Sequence, residues 1–572
     1  MASLFRFLLL VLLLAPLAAA ASLDRNAFTF TKYDLEVRTN PEEAAIAVRG
    51  NVTLRNDTEH PQTVAVLQVS STFDWRMIEV GGAPVQYLQQ PFASDIDHTG
   101  KLTEAIVTLP QPVPPKGTVV LDIGYSGTIP KDATRLTQIG VPAAQALSSQ
   151  WDRIGADFSG VRGIGHVAWY PIATEVGRLS DNTLFDVIAG WQRRQSASVL
   201  KTRVCWITDE DRSYTVVANG TFEGIGGGSS AVEGARTGCT SYSFSQLSET
   251  VPTFAIAPFE MLSRPSISLY FLTGHDSAAS DTAMAAEKVQ PWLEDWFGKA
   301  TTKIQVVELP DAGDAPFESG AILFTPLSSK DKKLTEIQMA QQLAMASVNS
   351  PRRWIRDGLS QFAQALVRER QDGRRSALAF LESRMAPLAA AEFQNTENTK
   401  PSGDARQALV STTDEVYFRF KAMYVWWMLR DLIGDVALQA VLKDYKADQD
   451  KDPSYVQRLV AAHSKRDLEW FFDDWVYRDR GLPDFKIASA PSRETLNNSH
   501  VVAVTVENTG AVGAEVSVTV HSATGEKSVP MLVRARQKEI TRISVPGKPT
   551  SVTVNDGSVP EADLSNNSFD VK

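Results

Sequence analysis

The spacing of hydrophobic and polar residues divides the chain into three parts. From about residue 23 to about residue 265 it predicts strands, because residues 34–38 alternate with a period near two and residues 64–69 form the continuous apolar run of a buried strand. Glycine and asparagine turn signals separate such runs, and no convincing internal repeat is present. We therefore expect an antiparallel β-domain over residues 22–265.

The hydrophobic period changes at about residue 266. A helix is expected after the next strand, because one apolar stripe recurs at helical spacing. The stripe consists of Val289, Trp292, Leu293, Trp296 and Phe297. Ser280-Asp281 is expected to cap this helix, and Pro291 is expected to kink or restart it. Further strands and then mainly helical patterns follow, so residues 266–483 are expected to form a mixed α/β and helical domain.

In the last part of the chain, apolar and polar residues again alternate with the two-residue period of strands. Residues 501–506 and 516–520 alternate, and Gly510 and Gly513 mark a turn between them. Residues 484–572 are therefore expected to form a C-terminal, immunoglobulin-like β-sandwich. The fold class expected for the whole chain is multidomain β plus α/β.

A targeting segment precedes these domains. Arg6 supplies a positive charge, residues 7–14 are apolar, and residues 18–21 are the small residues of a cleavage site, which predicts a secretory signal peptide at residues 1–21. The apolar run is short for a membrane-spanning helix, which needs roughly 20 residues, and an uncleaved anchor is the alternative. No transmembrane segment is expected after cleavage. We expect a secreted or periplasmic protein.

Both cysteines then lie in an oxidising compartment. Cys205 and Cys239 each fall in a strand-like run, and a glycine-rich turn at residues 224–230 separates the two runs. A disulfide joining neighbouring strands is the favoured interpretation, and two buried free thiols are the alternative.

Composition excludes several classes of function. The chain has 572 residues, 43% of them hydrophobic and 22% charged, which is typical of a globular protein. Its net charge of −10 disfavours a nucleic-acid partner. Seven histidines and two cysteines are too few for multi-zinc ribbons or iron–sulfur clusters. The sequence also lacks the G-x-S-x-G elbow and the phosphate-binding G-x-x-x-x-G-K-[ST] loop.

Three motifs carry a family resemblance. Residues 317–320 read FESG, residues 354–359 read WIRDGL, and residues 471–476 read FFDDWV, with GLP at residues 481–483. In this order they resemble the MEN-type strand, the W-[LI]-x-E-G-[FL] helix and the FFxxW…GxP signature of the membrane alanyl aminopeptidase family of gluzincin metallopeptidases. The resemblance implies a β-domain followed by a thermolysin-like peptidase domain at residues 266–483, acting on peptides.

The chain departs from this family at the zinc site. Where the family has HExxH, residues 341–345 read QQLAM. By the resemblance, the ligand positions are Gln341, Met345 and Asp357, and the general-base position is Gln342. Zinc in such sites takes two imidazoles and a carboxylate, whereas a glutamine amide is a poor ligand and a thioether suits copper(I). We therefore expect no cofactor, with zinc only if the chain is an active enzyme.

Two further positions follow from the resemblance. Arg419 stands where the family has the tyrosine that stabilises the oxyanion, and it is expected to pair with Asp357 or Glu318, or else to be a surface arginine. Glu318 matches the glutamate that holds a peptide's α-amine, and a solvated loop residue is the alternative. The arginines 352, 353 and 356 are expected to form a solvated helix start, with docking of a peptide carboxylate as the alternative.

The function expected from the sequence is that of an aminopeptidase-like protein without catalysis, which binds a peptide or protein through the inherited cleft. One alternative is an active zinc aminopeptidase that uses non-standard ligands, drawn from Glu336, Asp357 or Glu318. Another is an envelope adhesion or interaction protein, in which the β-domains carry the binding. Fold alone does not separate these functions, because activity depends on the site.

Overall fold

The computed structural model describes residues 23–571, apart from residues 182, 209–212, 228–235, 249, 328–330, 398–407, 413, 479 and 496–497. The signal peptide expected at residues 1–21 lies outside the described residues. Within them, no helix has the length and apolar character needed to cross a membrane.

The N-terminal part is built mainly from strands. Its elements are β1 (Phe28–Asn40), β2 (Ala45–Asn56), β3 (Gln62–Ser70), β4 (Phe73–Val80), β5 (Ala83–Pro84), β6 (Tyr87–Ala93), β7 (Lys101–Val113), β8 (Thr118–Thr128), α1 (Thr134–Gln138), α2 (Ala143–Ser149), β9 (Ser159–Val161), α3 (Leu184–Arg194), β10 (Val199–Thr208), β11 (Thr215–Ala218), β12 (Thr221–Gly226), β13 (Arg236–Phe244) and β14 (Phe254–Ala257).

These strands form one large sheet and two small ones. The large sheet has the order β12-β13-β10-β1-β2-β8-β4-β5, and the small sheets are β3-β7-β6 and β11-β14-β9. Among the described pairs of this part, β1 with β10 is parallel and the others are antiparallel. The expectation of a purely antiparallel domain is therefore wrong at this pair, because the chain returns to β1 only after a long crossover.

The disulfide between neighbouring strands is confirmed. Cys205 on β10 lies directly opposite Cys239 on β13, with a Cα–Cα distance of 4.0 Å. Both residues are buried, so the bond lies within the packed part of the large sheet.

The middle part combines a sheet with helices. Its elements are β15 (Glu260–Ser263), β16 (Ile267–Phe271), α4 (Asp276–Phe297), β17 (Ile304–Glu308), β18 (Phe317–Ser319), β19 (Ile322–Thr325), α5 (Lys332–Ser347), α6 (Arg353–Asp372), α7 (Arg374–Glu382), α8 (Met385–Glu397), a first π-helical turn (Val416–Lys421), α9 (Ala422–Ile433), α10 (Asp435–Asp444), a 3-10 turn (Ala447–Gln449), α11 (Tyr455–His463), α12 (Glu469–Phe472) and a second π-helical turn (Asp473–Tyr477).

The sheet of the middle part has the order β15-β16-β17-β19-β18. Its three inner strands are parallel, whereas β15 and β18 pair antiparallel at the two edges. Strand β15 lies before residue 266, so this sheet begins slightly earlier in the chain than the hydrophobic pattern indicates.

Helix α4 differs from the sequence-based expectation at two points. It begins at Asp276, and the amide of Ala279 already donates to the carbonyl of His275 at 3.0 Å. It also runs through Pro291 without restarting. The physical reason is burial, because Val289 and Leu293 pack into the core on both sides of the proline and favour a continuous helix.

The WIRDGL motif packs α6 against α9. Trp354 stacks on Trp426 with ring centroids 5.1 Å apart, and the Trp426 indole donates to the Trp354 carbonyl at 3.2 Å. Gly358 permits the close approach, since a Cβ there would lie 2.6 Å from the Cβ of Ala422. The tryptophan and glycine of this motif therefore have a packing role.

The C-terminal part is a sandwich of two four-stranded sheets. Its strands are β20 (Phe485–Ser489), β21 (Ser492–Glu494), β22 (Ser499–Asn508), β23 (Ala514–Ser522), β24 (Gly525–Val533), β25 (Lys538–Pro546), β26 (Pro549–Val554) and β27 (Ser568–Asp570). One sheet joins β20, β22, β21 and β25, and the other has the order β24-β23-β26-β27.

The FFDDWV motif attaches this sandwich to the helices. The Trp475 indole donates to the Gly513 carbonyl at 2.9 Å, and the Gly513 amide donates to Asp474 at 3.1 Å. Trp475 is fully buried at this junction, so the middle and C-terminal parts share one hydrophobic core.

Loss of the disulfide should destabilise the N-terminal part. The cysteines are 34 residues apart, and the loop-entropy model gives a stabilisation of about 4 kcal/mol for a loop of this length. We expect reductant to lower the melting temperature of the wild type and to leave that of a Cys205→Ser/Cys239→Ser variant unchanged. Two free thiols in the denatured, unreduced protein would contradict the assignment.

Candidate functional site

Glu318 lies on the edge strand β18, opposite Leu323 of β19. Its Oε1 accepts a hydrogen bond from the side-chain amide of Gln341 on α5. Its Oε2 is buried and has no hydrogen-bond partner within the described part of the chain. This carboxylate therefore joins the edge of the sheet to the helix on which the family motif would place its first zinc ligand.

Burial raises the pKa of the Glu318 carboxyl above its ordinary value. The positive charge of Arg419 opposes this shift, and so does the neighbouring amide of Gln342. The negative charges of Asp357 and Glu415 add to it. Glu318 therefore lies within electrostatic reach of both helices and of the first π-helical turn.

Gln342 is fully buried beside this carboxylate. Both its amide nitrogen and its amide oxygen lack a hydrogen-bond partner among the described residues. A buried donor or acceptor left unpaired costs about 1–3 kcal/mol, so such groups normally meet a water or a ligand. Together with Oε2 of Glu318, Gln342 offers one donor and two acceptors to an occupant of the site.

Asp357 is held by its own neighbour on α6. Its Oδ2 lies 2.9 Å from Nη2 of Arg356, and the residue is buried. The negative charge at this ligand position is therefore compensated by a guanidinium within the chain.

The other two arginines of the α6 start also have internal contacts. Arg352 pairs with the buried Asp450 at 2.8 Å, and the guanidinium of Arg353 lies 3.9 Å above the ring of Phe418. The expectation of a solvated helix start is therefore wrong. The reason is that Asp450 and Phe418, which contact these arginines, lie far away in the sequence and cannot be inferred from local patterns.

Arg419 lies in the first π-helical turn, and its side chain is 26% exposed. Its Nε is 3.1 Å from Oε1 of Glu415, one turn earlier, and it forms no ion pair with Glu318 or Asp357 in the described structure. The expected direct pairing of Arg419 with Glu318 or Asp357 is therefore wrong, because the ion pair of Arg419 is with Glu415, four residues earlier. Arg419 acts on the two buried carboxylates only through space.

The remaining candidate ligands, Met345 and Glu336, form no hydrogen bond with Glu318 in the described structure. Met345 is half-buried, one turn beyond Gln341 on α5, and has no polar contact with Glu318 in the described structure. Glu336, an alternative ligand, is bound between helices instead. Its two oxygens accept from Lys288 at 2.6 Å and from Gln371 at 2.8 Å.

The amide of Gln341 and the thioether of Met345 are poor zinc ligands. Gln341 directs an N–H at Glu318, so the contact is that of a donor with a carboxylate. A zinc site needs imidazole, thiolate or carboxylate ligands that converge on one point, whereas the carboxylate of Asp357 is already paired with Arg356.

The sequence analysis did not predict the acidic border of the site, which consists of Asp186, Asp414 and Glu415. Burial raises the pKa of Asp414, and the nearby charges of Asp186 and Glu415 raise it further. Asp186 comes from α3 in the N-terminal part, so this border crosses between the two parts of the chain. Glu415 was recognisable as the residue four positions before Arg419, whereas the approach of Asp186 has no local signal.

Residues of the N-terminal part pack against Phe317 on β18. The Phe317 ring contacts the edges of Trp151 and His166, with centroids 6.2 and 5.2 Å apart, and Arg162 lies over the Trp151 ring. Burial beside Arg162 lowers the pKa of His166 to about 3, so this histidine stays neutral near neutral pH. Its ring packs against Phe317 on the edge strand.

No family model and no curated protein matches the chain. Among solved structures, it is similar to an M1 zinc metallopeptidase from Deinococcus radiodurans, with 17% identity, a TM-score of 0.46, and coverage of 77% of this chain and 91% of that one.

Two related structures give similar values. A variant of the Deinococcus radiodurans enzyme bound to a Tyr-Ser-Ala substrate has 16% identity, a TM-score of 0.46 and coverage of 79% and 94%. A two-domain M1 zinc metallopeptidase variant bound to L-arginine has 17% identity, a TM-score of 0.47 and coverage of 76% and 91%. Likeness at this level does not extend to the chemistry of a site.

Replacing Glu318 by a neutral residue should stabilise the protein at pH values above the ordinary glutamate pKa. A carboxyl whose pKa is raised by folding contributes stability below its unfolded pKa and loses it as the pH rises through its folded pKa. Each unit of raised pKa corresponds to about 1.4 kcal/mol. Glu318→Gln keeps an acceptor for Gln341, so its stability relative to wild type should increase as the pH is raised from about 4.3, the ordinary glutamate pKa, toward pH 8.

The measurement is denaturant unfolding of both proteins across this pH range, with Glu59→Gln on the exposed surface as the matched control. A Glu318→Gln variant that is less stable than wild type near pH 8 would show that the ionised carboxylate is stabilising, contrary to the raised pKa.

Proposed function

We propose that this chain is a secreted or periplasmic, aminopeptidase-like protein that binds the amino terminus of a peptide or protein without hydrolysing it. The observation that carries the proposal is the hydrogen bond from Gln341 to Glu318. This bond engages Oε1 of Glu318 and leaves Oε2 available to accept from an ammonium group. The positions matched to zinc ligands carry groups that are poor ligands for a metal.

The unpaired polar atoms match an amino terminus. An α-ammonium group donates hydrogen bonds, and Glu318 Oε2 and Gln342 Oε1 are acceptors without partners in the described structure. The Gln342 amide lies beside Glu318, and its nitrogen can donate either to this carboxylate or to the first peptide carbonyl. The partly exposed Glu415 and Arg419 bring this group to the surface, where a chain end can enter.

The electrostatic environment favours a cation. The negative charge of Glu415 raises the pKa of both Glu318 and Asp414, and Asp186 on α3 raises that of Asp414 further. Arg356 compensates Asp357, and Arg419 is shared with Glu415. The excess of acidic groups should attract an ammonium group and repel a carboxylate at this position.

Hydrolysis would lack its main catalytic group. Gln342 stands at the general-base position, and a neutral amide cannot take a proton from water as a carboxylate does. Loss of a general base alone lowers a rate by about 10²–10⁴. The alternative of an active zinc enzyme is further weakened because Glu336, one of its proposed ligands, is bound by Lys288 and Gln371.

The disulfide supports a location outside the cytoplasm. Bonds of this kind persist in oxidising compartments, which agrees with the signal peptide predicted for residues 1–21. The adhesion alternative has no comparable support, because no feature of the sandwich in the described structure points to a particular partner.

Binding is tested with hexapeptides that carry free amino termini and with the same peptides acetylated. We expect the wild type to bind only the free form, and Glu318→Gln to weaken binding at least about tenfold, equivalent to 1.4 kcal/mol. Affinity should rise with pH through the raised pKa of Glu318, since the ammonium group requires the ionised carboxylate.

The measurements are calorimetry for affinity and mass spectrometry of the recovered peptides for cleavage. Glu59→Gln is again the matched surface control. Equal affinity for acetylated peptides would disprove recognition of the amino terminus, and shortened peptides that vanish in Glu318→Gln would establish an active peptidase.

A further inference from the structure

A cavity of about 480 Å³ lies on the other side of α6 from the Glu318 site. Ile355 and Leu359 line it, and each is two residues from Asp357. Two residues correspond to about 200° of helical rotation, so the cavity and the buried carboxylate lie on opposite faces of α6. The cavity is therefore separate from the candidate peptide site.

The floor of the cavity is apolar and rigid. It is lined by the buried side chains Phe297, Val348, Ile355, Leu359, Trp426 and Val441. Trp426 is fixed by its stack on Trp354 and by its hydrogen bond to the Trp354 carbonyl, so its indole is already in place for a ligand. A preformed apolar surface of this kind favours a hydrocarbon group.

The mouth of the cavity is positively charged. Lys299, Lys443 and Lys446 are exposed there, and none of them forms an ion pair with any described residue. The ammonium group of Lys446 donates to the backbone carbonyl of Lys443, at 3.4 Å. Asp448 is the acidic residue among the lining side chains, so the described mouth has an excess of positive charge.

We propose that this cavity binds a medium-chain fatty acid. Its hydrocarbon chain would lie on the floor formed by Trp426 and Leu359, and its carboxylate would pair with the lysines at the mouth. The volume lies within the range of about 300–1,000 Å³ that small-molecule sites occupy. An apolar floor with a cationic mouth complements a molecule with an apolar body and one negative end, and it disfavours a cationic or neutral head group.

The test uses sodium decanoate below its micelle concentration, with the full mature chain. Decyltrimethylammonium and 1-decanol are the matched probes, because they keep the chain length and change only the head group. We expect one decanoate per chain by calorimetry, a higher melting temperature with decanoate, and no such stabilisation by the cationic probe.

Charge-reversed variants locate the binding. Lys443→Glu/Lys446→Glu should weaken decanoate binding at least tenfold, whereas Lys201→Glu/Lys548→Glu, on exposed surfaces of the two β-parts, should leave it unchanged. All four lysines are exposed, so both variants should fold. No decanoate binding, equal binding of either matched probe, or unchanged affinity in Lys443→Glu/Lys446→Glu would each overturn the proposal.

Discussion

The burial of the Glu318 carboxylate is the constraint on which the arrangement of the site depends. A carboxylate removed from water needs hydrogen bonds or positive charge around it. The chain supplies an N–H from Gln341, a neutral amide at Gln342 and the through-space charge of Arg419. Gln341 and Gln342, which the resemblance matches to a ligand and the general base, thus face this carboxylate with neutral amides.

The motifs that suggest a peptidase have packing roles of their own. Trp354 and Gly358 allow α6 to lie against α9, and Trp475 attaches the C-terminal sandwich to the helices. Phe317 fixes the edge strand against Trp151 of the N-terminal part. These contacts shape the scaffold whether or not chemistry takes place, so the motifs establish a framework and leave the function to the residues between them.

Local patterns predicted the elements that carry the site, but not all of its contacts. The periods and turn signals indicated a mixed α/β and helical middle part and strands in the two β-parts, and the two cysteines were correctly paired. The continuity of α4 through Pro291 was missed, since burial outweighs the local effect of a proline.

The missed contacts of the site join segments far apart in the chain. Arg352 binds Asp450, and Asp186 from α3 approaches Asp414. The pairing of Arg419 with Glu415 is different, because the four-residue spacing made it accessible from the sequence. Long-range contacts depend on how helices and sheets pack together. Local patterns in a single sequence do not predict this packing.

The most direct test of a metal-free site is the zinc content of the purified mature chain after zinc loading and desalting, measured by elemental mass spectrometry. A variant with Gln341→His, Gln342→Glu, Met345→His and Asp357→Glu serves as the comparison. The arrangement around Glu318 predicts a wild type with far less than one zinc per chain. Near-stoichiometric zinc in the wild type, lost on Glu318→Gln or Asp357→Asn, would contradict it.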